Sequence, residues 1–161
     1  MLIVKSIIYT ILVPATVTIF LPILILMQSP ISGLPSLRMT QALSLIPIAV
    51  GTAILLHSIW MFASVGRGTL VSWDAPRNFV VKGLYRHVRN PLYVGILFVL
   101  LGESVFFKSR PILEYTAGWF VLINFVVILY EEPTLRNRFG KSYEQYRQRV
   151  GRWIPRRRYG S

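Results

Sequence analysis

Two clusters of residues lie at the ends of long apolar runs in this sequence of 161 residues, and the polar side chains in both could do chemistry. The first comes directly before a long apolar run and consists of Arg89, Asn90, Pro91, Leu92 and Tyr93. The free N–H groups at the start of a helix can bind a carboxylate or a phosphate, so this stretch could hold an anionic ligand. A basic flank and an interfacial tyrosine are also common at the ends of membrane spans. The residues alone leave both interpretations open.

The second cluster is the acidic pair Glu131 and Glu132, which ends another apolar run. Two carboxylates that face a basic loop across an interface could position a polar ligand or hold a cation. They could instead cap the helix that follows, because carboxylates are favourable at the positive end of a helix dipole. Burying such a pair in a membrane is costly, so the orientation of the side chains decides between these interpretations.

The remaining polar residues limit the kinds of chemistry. The chain has no cysteine, which excludes disulfides, thiolate catalysis and cysteine-ligated metal. The two histidines, His57 and His87, lie in unlike surroundings, and we predict no metal site. Glu103 and Glu114 lie near the other ends of their apolar runs, where they could simply reach water.

Four apolar segments must position these clusters, and they cover residues 6–27, 39–66, 90–107 and 111–130. Each is long enough to cross a bilayer, which takes about 20 largely apolar residues. The first segment has no cleavage pattern of a signal peptide, so we expect it to be retained. Since hydrophobic residues make up 53% of the chain, the sequence predicts one all-α integral membrane domain over residues 1–161, with about four transmembrane helices.

The positive charge is unevenly distributed along the chain. Of the 18 Lys and Arg residues, five lie in residues 66–91 and nine lie in residues 136–158. Basic residues collect on the cytoplasmic side of membrane proteins, and four spans would place both regions on that face. We therefore predict that both termini and the site face the cytoplasm, from the inner membrane if the chain is prokaryotic. Binding of nucleic acid is not predicted, because basic residues beside spans commonly serve topology and contacts with membrane lipids.

Two further elements are expected on the cytoplasmic face. Residues 67–89 are rich in residue types that are usually buried, which predicts a structured loop between the second and third spans. Beyond it, apolar residues recur at the spacing of an amphipathic helix over residues 133–150. They are Leu135, Phe139, Tyr143, Tyr146 and Val150. This C-terminal helix could lie on the membrane surface or fold back over the loop.

The start of the C-terminal helix carries a proline signal. Pro133 suits the first turn of a helix, because N–H groups in that turn have no acceptor within the helix and the lack of one costs nothing. The residue before a proline is biased away from helical geometry, and here that residue is Glu132. The sequence therefore predicts a break between the fourth span and the C-terminal helix, with Glu131 and Glu132 at the bend.

Together the two clusters resemble a known family. The stretches "GLYRHVRNPLYVG" and "EEPTLRNRFGKSYEQYRQRVGRWIP" are similar to the paired motifs of the isoprenylcysteine carboxyl methyltransferase and phospholipid methyltransferase superfamily. The resemblance covers about residues 66–155. The matching positions are Gly83, Tyr85, Arg89, Asn90, Pro91, Tyr93, Glu131, Glu132, Leu135, Phe139, Gly140, Tyr143, Tyr146 and Val150.

This resemblance implies a membrane-embedded methyltransferase that uses S-adenosylmethionine and has no Rossmann domain. The loop before the third span, the start of that span and the acidic end of the last span would enclose the cofactor. The implied cofactor contacts are Arg77, Asn78, Phe79, Val80, Tyr85, Arg89, Asn90, Pro91, Leu92, Tyr93 and Glu131.

The resemblance also implies a lipid-like or small hydrophobic acceptor, which could be a carboxylate, an amine or a thiol. A carboxylate acceptor needs no base, whereas an amine or thiol does, and Glu132, Tyr85 and Tyr93 are then the candidate acid/base residues. The eukaryotic carboxyl methyltransferases carry arginine where this chain has Val127, and usually histidine where it has Asn90. Methylation of a prenylated cysteine is therefore only one of the acceptor chemistries that stay open.

Two other interpretations compete with the enzyme. A non-catalytic membrane protein, whose polybasic amphipathic tail binds anionic lipid or a partner, would account for the charge and for the C-terminal helix. It would not explain the positions of Asn90, Tyr93 and Glu131. A relative of the sterol reductases would share part of the C-terminal architecture, but this chain is short and has few spans.

Overall fold

The computed structural model of the protein describes residues 12–28, 39–61 and 81–156. These residues form five helices, a 3₁₀ turn and one isolated bridge, and no strand occurs among them. The helices are α1 (Leu12–Gln28, with a π turn at Thr16–Phe20), α2 (Met39–Met61), α3 (Pro91–Phe106), α4 (Arg110–Val126) and α5 (Glu132–Arg149). The 3₁₀ turn is Gly83–Arg86, and a second π turn, Val127–Glu131, joins α4 to α5.

Two of the described helices are long and apolar enough to cross a membrane. They are α2, with 23 residues, and the continuous helix Arg110–Arg149 that contains α4 and α5. The apolar helices α1 and α3 are shorter. The predicted all-α class is confirmed for the described residues, while the number of four spans stays a prediction. The predicted loop 67–89 is described only from residue 81 onward, where it forms the 3₁₀ turn.

Helices α2 and α3 pack closely through glycine. A Cβ atom on Gly51 would lie 2.6 Å from the carbonyl oxygen of Gly95 and 2.8 Å from the amide nitrogen of Val99. Small residues at such an interface let two backbones approach, which is how helices gain van der Waals contact in a membrane. An apolar core then forms beside the glycines, from Leu55, Leu92, Ile96, Val99 and Leu100.

The predicted break at Glu131 and Glu132 is wrong. Both residues have helical backbone angles, and the chain passes from α4 into α5 through the π turn without leaving the helix. A π turn widens the helix by one residue, and here it ends two residues before Pro133, which has no N–H group to donate. The kink lies further on, at Gly140, whose φ of +52° and ψ of −125° suit glycine alone among common residues.

The C-terminal helix folds back over the segment that precedes α3. The predicted apolar face is confirmed, because Tyr143, Tyr146 and Val150 are buried and Leu135 and Phe139 pack against them. The contacts of this helix also fix the backbone before α3.

Beyond α5 the chain returns to the start of α3. Val88 forms a parallel bridge with Gly151, and the amide of Arg89 donates to the carbonyl oxygen of Gly151 at 2.9 Å. The hydroxyl of Tyr146 donates to the carbonyl oxygen of Tyr85 at 2.6 Å. These bonds bring residues about 60 positions apart in sequence to one end of the helix bundle.

Candidate active site

The start of α3 is held from outside its own helix. Asn90 occupies the N-cap position, but its side chain does not cap the helix. Its amide nitrogen Nδ2 instead donates to the carbonyl oxygen of Arg152, at 3.4 Å. Pro91 follows in the first turn, where its fixed φ suits a helix start. Pro91 and Leu92 are buried, so these two residues anchor the turn while Asn90 faces the C-terminal segment.

The two sequence clusters meet through Tyr93 and Glu131. The Tyr93 hydroxyl, in the first turn of α3, donates a hydrogen bond to Oε1 of Glu131, the last residue of the π turn. The phenol and the carboxylate are 38 residues apart in sequence. The structure therefore joins one residue from each predicted motif in a single polar pair at the end of the bundle.

Glu132, next to this pair, is clamped between two arginines. Its Oε1 accepts from Arg89 at 2.9 Å and from Nε of Arg152 at 2.7 Å, and its Oε2 accepts from Arg152 at 3.0 Å. The side chains of Arg89 and Glu132 are each only 11% exposed. A base role for Glu132 stays a prediction. The geometry favours a holding role, because both oxygens are already engaged.

Tyr85 lies buried beneath the C-terminal helix, and its position limits what it could do. Burial raises the pKa of its phenol well above the ordinary value. The phenol therefore stays protonated at neutral pH, so that it can donate a hydrogen bond but cannot accept a proton.

An aromatic wall stands beside Tyr93. The Tyr93 ring lies 6.1 Å from the Trp119 ring and 6.5 Å from the Trp153 ring, measured between centroids. Trp153 also packs edge-on against Phe120 at 5.4 Å, a favourable arrangement for two aromatic rings. The indole N–H of Trp153 donates to Oδ1 of Asn124 at 3.0 Å, which fixes the ring against α4.

Three residues of this arrangement were not singled out from the sequence. Arg152 and Trp153 look like a continuation of the basic tail, and Asn124 sits within an apolar run. The amide of Asn124 is the one available signal, because a polar side chain within an apolar segment usually has a specific partner. Of the predicted cofactor contacts, Arg77, Asn78, Phe79 and Val80 lie outside the described residues.

The family model for phospholipid methyltransferases (PEMT) matches residues 39–142 of this chain. A methanethiol S-methyltransferase from Bradyrhizobium diazoefficiens is 37% identical over 83 residues, which cover 52% of this chain and 28% of that enzyme. A probable protein-S-isoprenylcysteine O-methyltransferase from Oryza sativa subsp. indica is 33% identical over 87 residues, or 53% of this chain and 44% of the relative. No solved structure matches the chain significantly.

A protein-S-isoprenylcysteine O-methyltransferase from Schizosaccharomyces pombe is 37% identical over 79 residues, or 47% of this chain and 32% of that enzyme. The matched region thus spans less than half the length of these curated relatives. The family match itself covers well over half of this chain, including α2, α3, α4 and the acidic pair. On that match, the chain belongs to the phospholipid methyltransferase family.

Proposed function

We propose that the protein is an S-adenosylmethionine-dependent integral membrane methyltransferase. The observation that carries this proposal is the pairing of Tyr93 with Glu131, because it assembles the two halves of the family motif into one polar site. The curated relatives are named as O- or S-methyltransferases, which supports the same class of reaction. Those names give no support to the competing prediction of a non-catalytic lipid tether.

The side chains at the site suit the chemistry of the cofactor. S-adenosylmethionine presents hydroxyls, an ammonium group and a carboxylate, and when bound it supplies a methyl group on a cationic sulfur. The Glu131 carboxylate can accept from the hydroxyls or the ammonium group, while Arg89 and the Asn90 amide can donate to the carboxylate. The predicted contacts at residues 77–80 would complete the enclosure.

The protein's main contribution to methyl transfer would be alignment. In-line methyl transfer would require donor and acceptor to be held in one line, and the residues around Tyr93 and Glu131 would provide that alignment. The rings of Tyr93, Trp119 and Trp153 would form one side of this enclosure and keep water away. Asn124 holds the Trp153 ring, and Glu132 holds the preceding residue, Arg152.

A thiol or amine acceptor must also lose a proton. Among the three predicted acid/base residues, Tyr93 is the one whose hydroxyl already donates to a free-standing carboxylate. We assign a proton relay to Tyr93, in which the acceptor's proton passes to the Tyr93 oxygen as the Tyr93 proton passes to Glu131. Glu132 is assigned to holding the arginines. Tyr85 serves as a buried donor.

The acceptor would reach the site from the bilayer. Because the site lies where the apolar part of the helix Arg110–Arg149 ends, it would sit at the membrane surface on the basic, cytoplasmic side. The relatives are named for a prenylcysteine carboxylate and for methanethiol. Val127, in the π turn, is buried and uncharged where the eukaryotic carboxyl methyltransferases carry arginine. Without that arginine neither acceptor chemistry is selected, and a lipid-like or small hydrophobic molecule fits either.

The test is binding of S-adenosylmethionine, measured by calorimetry on the protein in nanodiscs. Wild-type protein should bind saturably, and Glu131→Gln should lose at least about tenfold in affinity, because a charge-assisted hydrogen bond is removed. Glu114→Gln is the matched control, since Glu114 is 64% exposed and pairs only with Arg110 among the described ion pairs. Absence of binding to folded wild-type protein would refute the proposal.

A further inference from the structure

The ion cluster beside the site carries more positive than negative charge. Arg152 grips both oxygens of Glu132 as a fork, whereas Arg89 reaches only Oε1, through one terminal nitrogen. Two guanidinium groups thus share one carboxylate. Because arginine stays protonated in proteins, the three side chains keep a net charge of about +1 in a largely buried position.

Arg89 also has an unsatisfied hydrogen-bond donor. Its Nε is buried and has no acceptor among the residues that the structure describes. Its NH1 group makes a second, longer contact, with the hydroxyl of Tyr143 at 3.4 Å. A buried N–H group without an acceptor is costly, so an empty donor of this kind calls for a partner oxygen.

The neighbouring acid does not neutralise this surplus by direct contact. Glu131 accepts from Tyr93, and none of the ion pairs in the described part of the chain involves it. The unpaired Nε–H group and the uncompensated positive charge therefore belong to Arg89. They remain because Arg152 already bonds to both oxygens of Glu132.

We propose that Arg89 and Arg152 form a subsite for one oxyanion, a carboxylate or a phosphate, of a ligand in the proposed methyltransferase site. Arg152 acts as a positioning residue, because it draws Glu132 away from a two-bond pairing with Arg89. Planar guanidinium groups bind carboxylate and phosphate oxygens well, in pairs of parallel hydrogen bonds. The proposal rests on the proposed function and narrows it, since it selects ligands that carry an anionic group near the reacting methyl.

Two ligands could supply this oxyanion. One is the carboxylate of the methyl donor, and the other is the phosphate or carboxylate of a lipid-like acceptor. Both present the same chemistry to the arginines. Removing Arg152 should weaken either one in the same way, because Glu132 would then be free to pair fully with Arg89 and neutralise it.

The experiment compares two matched pairs of probes on the full chain, in nanodiscs of zwitterionic lipid. The first pair is S-adenosylhomocysteine and its decarboxylated analogue, which keeps the amine. The second is a short-chain phosphatidate and the matching diacylglycerol. Wild-type protein should prefer the anionic member of one pair by about tenfold or more, which is the expected effect of a charge-assisted hydrogen bond.

Three variants test the assignment. Arg152→Ala should lower the preference for the anionic probe by about tenfold. Arg152→Lys keeps the charge and should retain most of the preference, which separates a charge effect from a folding defect. Lys141→Ala removes an exposed charge from α5, the helix that precedes Arg152, and should change nothing. Thermal unfolding of each variant verifies that it folds.

The outcomes distinguish the subsite from the proposed function. If the nucleosides bind and Arg152→Ala alters neither preference, the subsite is refuted and the function stands. If neither nucleoside binds but the phosphatidate preference falls in Arg152→Ala, the function fails and the subsite is an anionic lipid site. If wild-type protein shows no preference in either pair, the subsite is refuted whatever the nucleosides do.

Discussion

The start of α3 and the rest of its length are stabilised by opposite means. Along its length, α3 packs against α2 through glycine and an apolar core, with backbone atoms almost in contact. At its start, by contrast, long polar side chains from distant parts of the sequence converge, notably Arg89, Glu132 and Arg152. The apolar interface tolerates no added volume, whereas the polar end tolerates no lost charge partner. This difference indicates which substitutions each region should resist.

The largest effect is expected for Glu132→Ala. It leaves the charges of Arg89 and Arg152 without their carboxylate, in a site where the Arg89 side chain is only 11% exposed. Breaking a buried pair in this way costs about 3–5 kcal/mol of unfolding free energy. Chemical unfolding in detergent measures it. Glu144→Ala is the control, because Glu144 is more exposed than Glu132 and its partners Arg136 and Arg147 are both exposed. An equal loss there would contradict the comparison.

Gly51→Ala tests the apolar interface. The added Cβ would meet backbone atoms of Gly95 and Val99 at 2.6 Å and 2.8 Å, so α2 and α3 must move apart. We expect a loss of about 1–3 kcal/mol in unfolding free energy. The matched variant Gly118→Ala points into open space and should gain up to about 1 kcal/mol from helix propensity. If both variants behave alike, the close packing of α2 on α3 is not what holds the bundle.

Tyr146→Phe separates stability from function. It removes the hydrogen bond to the carbonyl oxygen of Tyr85 and should cost about 1 kcal/mol. Tyr115→Phe removes a similar bond, from α4 to the carbonyl oxygen of Val17 in α1. Thermal unfolding should show comparable losses, but only Tyr146→Phe should weaken S-adenosylmethionine binding. Equal effects of both variants on binding would mean that the polar end does not organise the site.

The smallest effect is expected for Arg110→Ala. Arg110 and Glu114 form an ion pair at 2.9 Å, but their side chains are 87% and 64% exposed. Exposed pairs contribute less than about 1 kcal/mol, and added salt screens them further. Unfolding at low and high ionic strength measures the contribution. A loss as large as that of Glu132→Ala would show that burial is not what makes the polar end sensitive.

Much of this architecture could be predicted from the composition of the chain and from the spacing of its apolar residues. Long apolar runs predicted the helices, and the spacing of Tyr143, Tyr146 and Val150 predicted the buried face of the C-terminal helix. The motif resemblance placed Tyr93 and Glu131 in one site, and the structure brings them into contact. Local patterns were sufficient here because each depends on residues close in sequence or on a recognisable pair of motifs.

The rest depended on information that local patterns do not contain. The proline at 133 predicted a break, yet a π turn kept the helix continuous, because the bias on the preceding residue is a preference that helical context can override. Arg152 could not be told from the other arginines of the basic tail. Its role follows from a backbone bridge between Val88 and Gly151, which no periodicity encodes.

That bridge has a consequence for biosynthesis. Residues 88–93 emerge from the ribosome well before their partners Gly151, Arg152 and Trp153, so the start of α3 must wait until about 60 further residues have been synthesised. Contacts between remote positions form slowly, because a long loop has to close first. The apolar helices would thus insert and pair while the site is still open, and the polar end would close only after residue 151 has been added. Release of the nascent chain before that point would yield an inserted bundle whose polar end is not assembled.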